Sequence, residues 1–92
     1  MPDAAQFFLQ IREVKDLGGS LVGVEATPVG EKFQLVYYLS VDGKVERQEY
    51  LPDDDTCPSL IQLFAAADYL ERSLYRRYKI KFIGNPNLEV AL

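Results

Sequence analysis

The sequence predicts an α+β fold in a single domain over residues 1–92: an N-terminal helix, an antiparallel hairpin sheet, a long second helix and a short C-terminal strand. Three observations carry that expectation. Apolar residues recur at three- and four-residue spacing near both ends, over 4–14 and again over 60–78, as they do on one stripe of a helix. Between them, 32–41 alternates apolar and polar side chains with the period of a strand. Asp42-Gly43 follows at once, the dipeptide that suits the type I′ turn of a tight hairpin. A chain of 92 residues is too short to fill a second core, and 48% hydrophobic with 26% charged residues is the composition of a folded domain, not a disordered one.

The first helix is expected from Asp3 to Leu17, with Ala4, Phe7, Phe8, Ile11 and Val14 on one stripe and Gly18-Gly19 ending it. SLVGVEAT, 20–27, is short and rich in β-branched residues, which predicts a strand closed by a loop at Pro28 and Gly30; Gly23 marks a bulge or a close backbone approach. KFQLVYYLSV places Phe33, Leu35, Tyr37, Leu39 and Val41 on one face and Gln34, Val36, Tyr38 and Ser40 on the other. Its return strand KVERQEYL, 44–51, is more polar, as befits an edge strand whose charges discourage further pairing. PDDDTCPS, 52–59, reads as a loop. Ser59 and Gln62 have the spacing of a capping box, so the second helix is expected to begin there. Leu60, Leu63, Phe64, Ala67, Leu70, Leu74, Tyr75 and Tyr78 carry it to Tyr78 with one break near Ala65, and Asp68 and Arg72 are set for a weak surface pair. IKFI predicts the short strand, Gly84-Asn85-Pro86-Asn87 a turn in which Pro86 holds Asn85 extended, and Leu88, Val90 and Leu92 alternate at the end.

Composition excludes several kinds of chemistry. Histidine is absent, which removes Ser-His and Cys-His nucleophile activation and every histidine metal site. Cys57 is the one cysteine, so no intramolecular disulfide forms, and beside Pro58 it reads as a small semi-buried residue in preference to a nucleophile. Asp53, Asp54 and Asp55 offer carboxylates of the kind calcium or magnesium prefers. Consecutive positions point their oxygens apart, however, and the pattern of a calcium loop is missing, so a solvated acidic loop is the expectation. A net charge of −4 argues against duplex nucleic acid as a partner. No apolar run approaches the roughly 20 residues that span a bilayer, and MPDAAQFF lacks the cationic start of a secretory leader. A cytoplasmic location is expected.

Arg72, Arg76, Arg77, Lys79 and Lys81 form a cationic run in this acidic chain. Cations in a helix's last turn oppose the negative end of its dipole, which accounts for Arg76, Arg77 and Lys79. It does not require Arg72, or the interleaved Tyr69, Tyr75 and Tyr78. Tyrosine and arginine are the residues that most often carry interface binding energy, and a single-stranded nucleic acid groove uses the same mixture. A helix end, a protein interface and an RNA site all remain open on composition.

The order of residues adds more. CPSLIQLFAAADYLERSLYRRYKIKFIGNPNLEVAL resembles the signature region of the thirty-kilodalton subunit family of complex I, the NADH:quinone oxidoreductase, whose relatives include the small subunit of energy-converting membrane-bound nickel-iron hydrogenases. Pro58, Ser59, Leu60, Phe64, Ala66, Ala67, Glu71, Arg72, Tyr75, Ile80, Phe82, Gly84, Pro86 and Leu88 match that pattern in register without a gap. Upstream, LVGVEATPVGEKFQLVYYL is similar to the family's strand pair and LPDDDTCPS to its proline-bounded loop, so the resemblance covers 21–88. The expected element order fits the family's two-layer α+β domain.

There are departures. Ser73 stands where the family has the second glutamate of Glu-Arg-Glu, Arg76 replaces its aspartate, Lys79 stands in a glycine position and Asn85 in a histidine position. Together with the sequence ending at Leu92, where the family carries a long extension, they lead to the expectation of a divergent, minimal member closer to the hydrogenase subunit. The resemblance implies a subunit without catalysis or cofactors of its own, in the cytoplasmic arm of a membrane-bound oxidoreductase, reaching the membrane only through the complex. Its implied partners are the large hydrogenase-like subunit at the quinone site and the small Fe-S subunit, with Fe-S clusters, and nickel or flavin, in those partners; direct nucleic acid binding is not implied. The residues it implies for partner binding are Tyr69, Glu71, Arg72, Tyr75, Arg76, Arg77, Phe82, Gly84 and Pro86, with Glu71 orienting a neighbouring cation or capping a partner group. Two rivals remain: a stand-alone enzyme built on Asp53, Asp54, Asp55 and Cys57, which small-molecule binding by the purified monomer would favour, and a small module that keeps only the fold and binds protein or RNA, where steep salt dependence would mark RNA.

Overall fold

The structure is a computed structural model that describes residues 3–52, 54 and 56–90; Asp53, Asp55 and Leu92, for which the sequence carries expectations, lie outside the described residues. The chain opens on helix α1 (Ala4–Asp16). Asp3 caps it: its Oδ1 accepts from the Gln6 N–H at 2.8 Å, and Gln6 Oε1 accepts from the Asp3 N–H at 3.2 Å, a complete capping box. At the other end, the Gly18 N–H reaches the Lys15 carbonyl and the Gly19 N–H reaches the Val14 carbonyl, both at 2.9 Å, with Gly18 at φ +83°. That is the left-handed helix stop expected of the glycine pair. Phe7, Ile11 and Val14 face inward, whereas Ala4 is exposed and Phe8 half-buried.

Strands β1 (Ser20–Val29), β2 (Lys32–Val41) and β3 (Lys44–Tyr50) form an antiparallel sheet in the order β1-β2-β3. β1 runs past the expected loop and through Pro28, which pairs with Phe33; an edge strand tolerates a residue without an N–H. The register shifts between Leu21 and Gly23, a bulge at Val22 next to the expected glycine. Asp42 and Gly43 have φ of +51° and +78°, the two left-handed residues of the predicted I′ turn. β2 lies at the centre; its inward face is buried from Leu35 to Leu39, and its outward face is half-buried at Gln34, Tyr38 and Ser40 and buried at Val36. Leu35, Tyr37 and Leu39 enter the core. Val36, on the opposite face, sits between Glu25 and Glu49, whose carboxylates accept from Tyr38 Oη and Gln34 Nε2.

Two expectations are corrected beyond the sheet. Part of the loop 52–59 is a strand, β4 (Thr56–Pro58), which pairs in parallel with β5 (Lys81–Ile83). The second helix does not start at Ser59: helix α2 is Ala67–Tyr78. Residues 60–66 form turns instead, with the Phe64 N–H on the Leu60 carbonyl at 2.9 Å and the Ala67 N–H on the Phe64 carbonyl at 3.1 Å. No helix spans 59–65, so the expected single break near Ala65 is replaced by a non-helical segment up to the start of α2. The Ser59 hydroxyl accepts from the Ile61 N–H at 3.1 Å, so it does not close a capping box with Gln62. Residues 86–90 are turns, with Val90 exposed. Core side chains come from every layer: Phe7 stacks on Tyr50 at 4.5 Å and tilts against Tyr37 at 5.0 Å, and Leu60, Ala67, Leu74, Ile80 and Phe82 close the other side.

Candidate functional site

Glu71 lies on the inward face of α2 between Ala67 and Leu74 and is 1% exposed. Three donors from two segments meet its carboxylate. The Ser59 hydroxyl donates to Oε1 at 2.6 Å, the Leu60 N–H to Oε2 at 2.7 Å, and Asn85 Nδ2 to Oε1 at 3.0 Å. Burial raises its pKa above the ordinary carboxylate range, and these three hydrogen bonds oppose the rise. The expected contact with a partner's cation is therefore corrected: the carboxylate is an internal clamp that joins α2, the end of β4 and the turn after β5. Asn85 extends the clamp, since its Oδ1 accepts from the Asn87 N–H at 2.8 Å while its own N–H reaches the Phe82 carbonyl at 3.2 Å.

Asp68, one turn earlier, adds a second tie. Its Oδ1 accepts from Asn87 Nδ2 at 3.2 Å and its Oδ2 pairs with the Arg72 guanidinium at 3.3 Å. The Arg72 side chain is 16% exposed, so the expected surface pair is largely covered. Phe82 is also buried, at 1% exposure, and belongs to the core, contrary to the expectation of a contact residue. The other residues implied for partner binding lie at or near the surface. Tyr69, Arg76, Arg77 and Gly84 are exposed, Tyr75 is half-buried and Pro86 is exposed beside the buried Asn85. Arg77 sits over the Tyr78 ring at 5.2 Å and Lys79 over the Tyr75 ring at 5.3 Å. Tyr75 Oη donates to Glu89 Oε1 at 3.1 Å, which raises the phenol's pKa. Lys79 has φ +63°, a left-handed cap at the end of α2, and this is the position where the family resemblance puts a glycine.

The acidic loop and Cys57 serve other ends. Asp54 Oδ1 accepts from the Thr56 hydroxyl and N–H, which hold it below the ordinary carboxylate range. The Cys57 thiol is 1% exposed, 3.2 Å from Tyr37 Oη, and burial pushes it up to about 12, the setting of an inert packed thiol. Among the described residues no three His, Cys, Asp or Glu side chains gather as a metal site. Ser59, Asn85 and Asn87 are site residues that sequence reasoning misses or assigns elsewhere. A glutamate in an otherwise apolar stripe, at 67, 71, 74 and 78, is the signal for them.

Comparison with known proteins agrees with this architecture. The family model of the respiratory-chain NADH dehydrogenase, 30 Kd subunit, matches residues 2–92. A subunit of NADH-quinone oxidoreductase from Methylobacterium radiotolerans is 33% identical over 79 residues, covering 78% of this chain and 35% of the relative. The corresponding subunit from Rhodobacter capsulatus is 31% identical over 65 residues, covering 67% of this chain and 33% of the relative. The chain thus spans about a third of the length of these curated relatives. Among solved structures, a trypsin-resistant fragment of Nqo5 superposes with a TM-score of 0.74 at 24% identity, over 92% of this chain and 77% of the fragment, a likeness of fold. On the match over residues 2–92, the chain belongs to the family of the 30 kDa subunit of respiratory-chain NADH dehydrogenase.

Proposed function

We propose that this chain is a non-catalytic assembly subunit of an NADH:quinone oxidoreductase-type complex, and that it binds the large subunit of the peripheral arm through the end of α2 and the 84–88 turn. The family match across residues 2–92 carries the reading. The surface supports it: Tyr69, Arg76 and Arg77 on α2 and Gly84 and Pro86 in the turn after β5 are exposed, and Glu71 and Asp68 tie these two segments together. Rigid aromatic and arginine side chains are the usual anchors of a protein interface. In this reading Fe-S clusters and flavin belong to partner subunits, and the chain sits at the cytoplasmic face of the membrane through the complex alone. No helix among the described residues is long and apolar enough to cross a membrane.

The test is a mild-detergent affinity purification of the tagged protein from its native host, with partners identified by mass spectrometry and nickel assayed in the eluate. Recovery of a large and a small Fe-S subunit together with an NADH-oxidising module is the expected result. The same partner folds with nickel would move the chain to the energy-converting hydrogenase branch, and recovery of the protein alone would sink the assembly reading.

A further inference from the structure

The C-terminal end of α2 and the turns over 84–90 enclose two adjoining clefts. One, of about 400 Å³, runs past Phe82, Gly84 and Pro86; the other, of about 250 Å³, is lined by Arg76, Lys79 and Val90. They share Tyr75, Leu88 and Glu89. Charge is segregated here: 72–81 holds five cations and no acid, and the rest of the chain holds all 14 acids against five cations. The ion pairs among the described residues are Arg47–Glu49 and Arg72–Asp68, so Arg76, Arg77 and Lys79 meet no acid of the described chain. Glu89, the one acid among the described residues lining either cleft, is held by the Tyr75 hydroxyl. Arg77 and Lys79 lie over tyrosine rings, which limits their freedom before any partner arrives.

We propose that this groove takes an acidic segment of the neighbouring subunit, which sets Asp or Glu carboxylates against Arg76 and Lys79 and lays an apolar side chain on Leu88 beside Pro86. The proposal rests on the assembly reading above and names the chemistry of the partner surface. Charge complementarity favours it: the groove is the cationic part of a chain with net charge −4. RNA fits less well. The Tyr75 ring, on which a base would stack, already carries Lys79 over one face.

A zero-length carbodiimide cross-linker, which joins an amine only to a carboxylate in direct contact with it, tests this on the complex purified from the native host. The expected product links Lys79 to an Asp or Glu of a partner chain. Arg76→Glu, with its circular dichroism spectrum retained, is expected to recover at least about tenfold less of that partner; should that variant lose its fold, the cross-link in the wild-type complex decides. An assembled complex without a Lys79 link, a link that leads to a second copy of this chain, or an association released by nuclease overturns this proposal and leaves the assembly reading standing. A wild-type chain recovered with no partner at all overturns both.

Discussion

At Glu71, burial and hydrogen bonding pull in opposite directions, and burial is the larger effect on the pKa. The folded chain therefore holds this proton more tightly than the unfolded chain. The stability Glu71 contributes is full below the ordinary carboxylate pKa and is lost as pH rises through the raised folded value. Glu71→Gln keeps the shape but turns a donor toward the Leu60 N–H or toward Asn85 Nδ2, at a cost of about 1–3 kcal/mol. Urea midpoints of the two proteins at about pH 4 and about pH 7.5 should show the gap narrowing as pH rises; a constant gap would place the titration elsewhere. Lys79 gives a second residue-level test. A left-handed residue with a Cβ is strained by about 1–2 kcal/mol, so Lys79→Gly should raise stability by about 0.5–1 kcal/mol in urea while weakening partner recovery. Both residues are visible in the sequence with their roles hidden. Glu71 sits in the apolar stripe, yet a glutamate beside an arginine reads as an outward charge, because its three donors lie 11, 12 and 14 residues away. Lys79 reads as a dipole-opposing cation, and only the dihedral shows what its backbone does.

Among elements, the same short pattern has two fates. Asp3…Gln6 closes a capping box, and Ser59…Gln62, of equal spacing, does not. The difference is tertiary: the Ser59 hydroxyl is drawn to Glu71, leaving residues 60–66 as turns and the helix to restart at Ala67. Helical spacing of apolar residues persists through that stretch because a turn that buries Leu60 and Phe64 needs nearly the same periodicity. The strands are more legible. Period-two alternation and Asp-Gly locate β2 and its hairpin, while β1 outruns its predicted end because Pro28 is harmless on an edge. The joint between α1 and β1 is the tightest element contact that depends on a glycine. A Cβ on Gly19 would stand 2.6 Å from Val14 Cγ1 and 2.8 Å from the Val14 carbonyl oxygen. Gly19→Ala should therefore cost about 1–3 kcal/mol, measured by thermal unfolding, and a neutral result would mean that the α1 end moves aside.

For the whole molecule, the order helix, hairpin sheet, helix, short strand is legible from periodicity and turn chemistry, and the residues resembling the family pattern point to the fold. The parallel pairing of β4 with β5 is not. Strands of three residues carry no measurable period, and their partners, Thr56 with Lys81 and Pro58 with Ile83, are separated by all of α2. That pairing has a consequence in time. The meander β1-β2-β3 closes through short turns, whereas β4 and β5 must bring distant points of the chain together, a slower step with a larger loop-closure penalty. The half of the fold that bears the cationic groove is accordingly expected to form last and open first. Native-state hydrogen exchange offers the check: the Ser59 amide, bonded to the Ile83 carbonyl, should exchange through a partial opening well before the amides of β2. A nascent subunit would then carry its sheet and first helix in place while its groove is still unmade, so that assembly waits on the final closure of the fold.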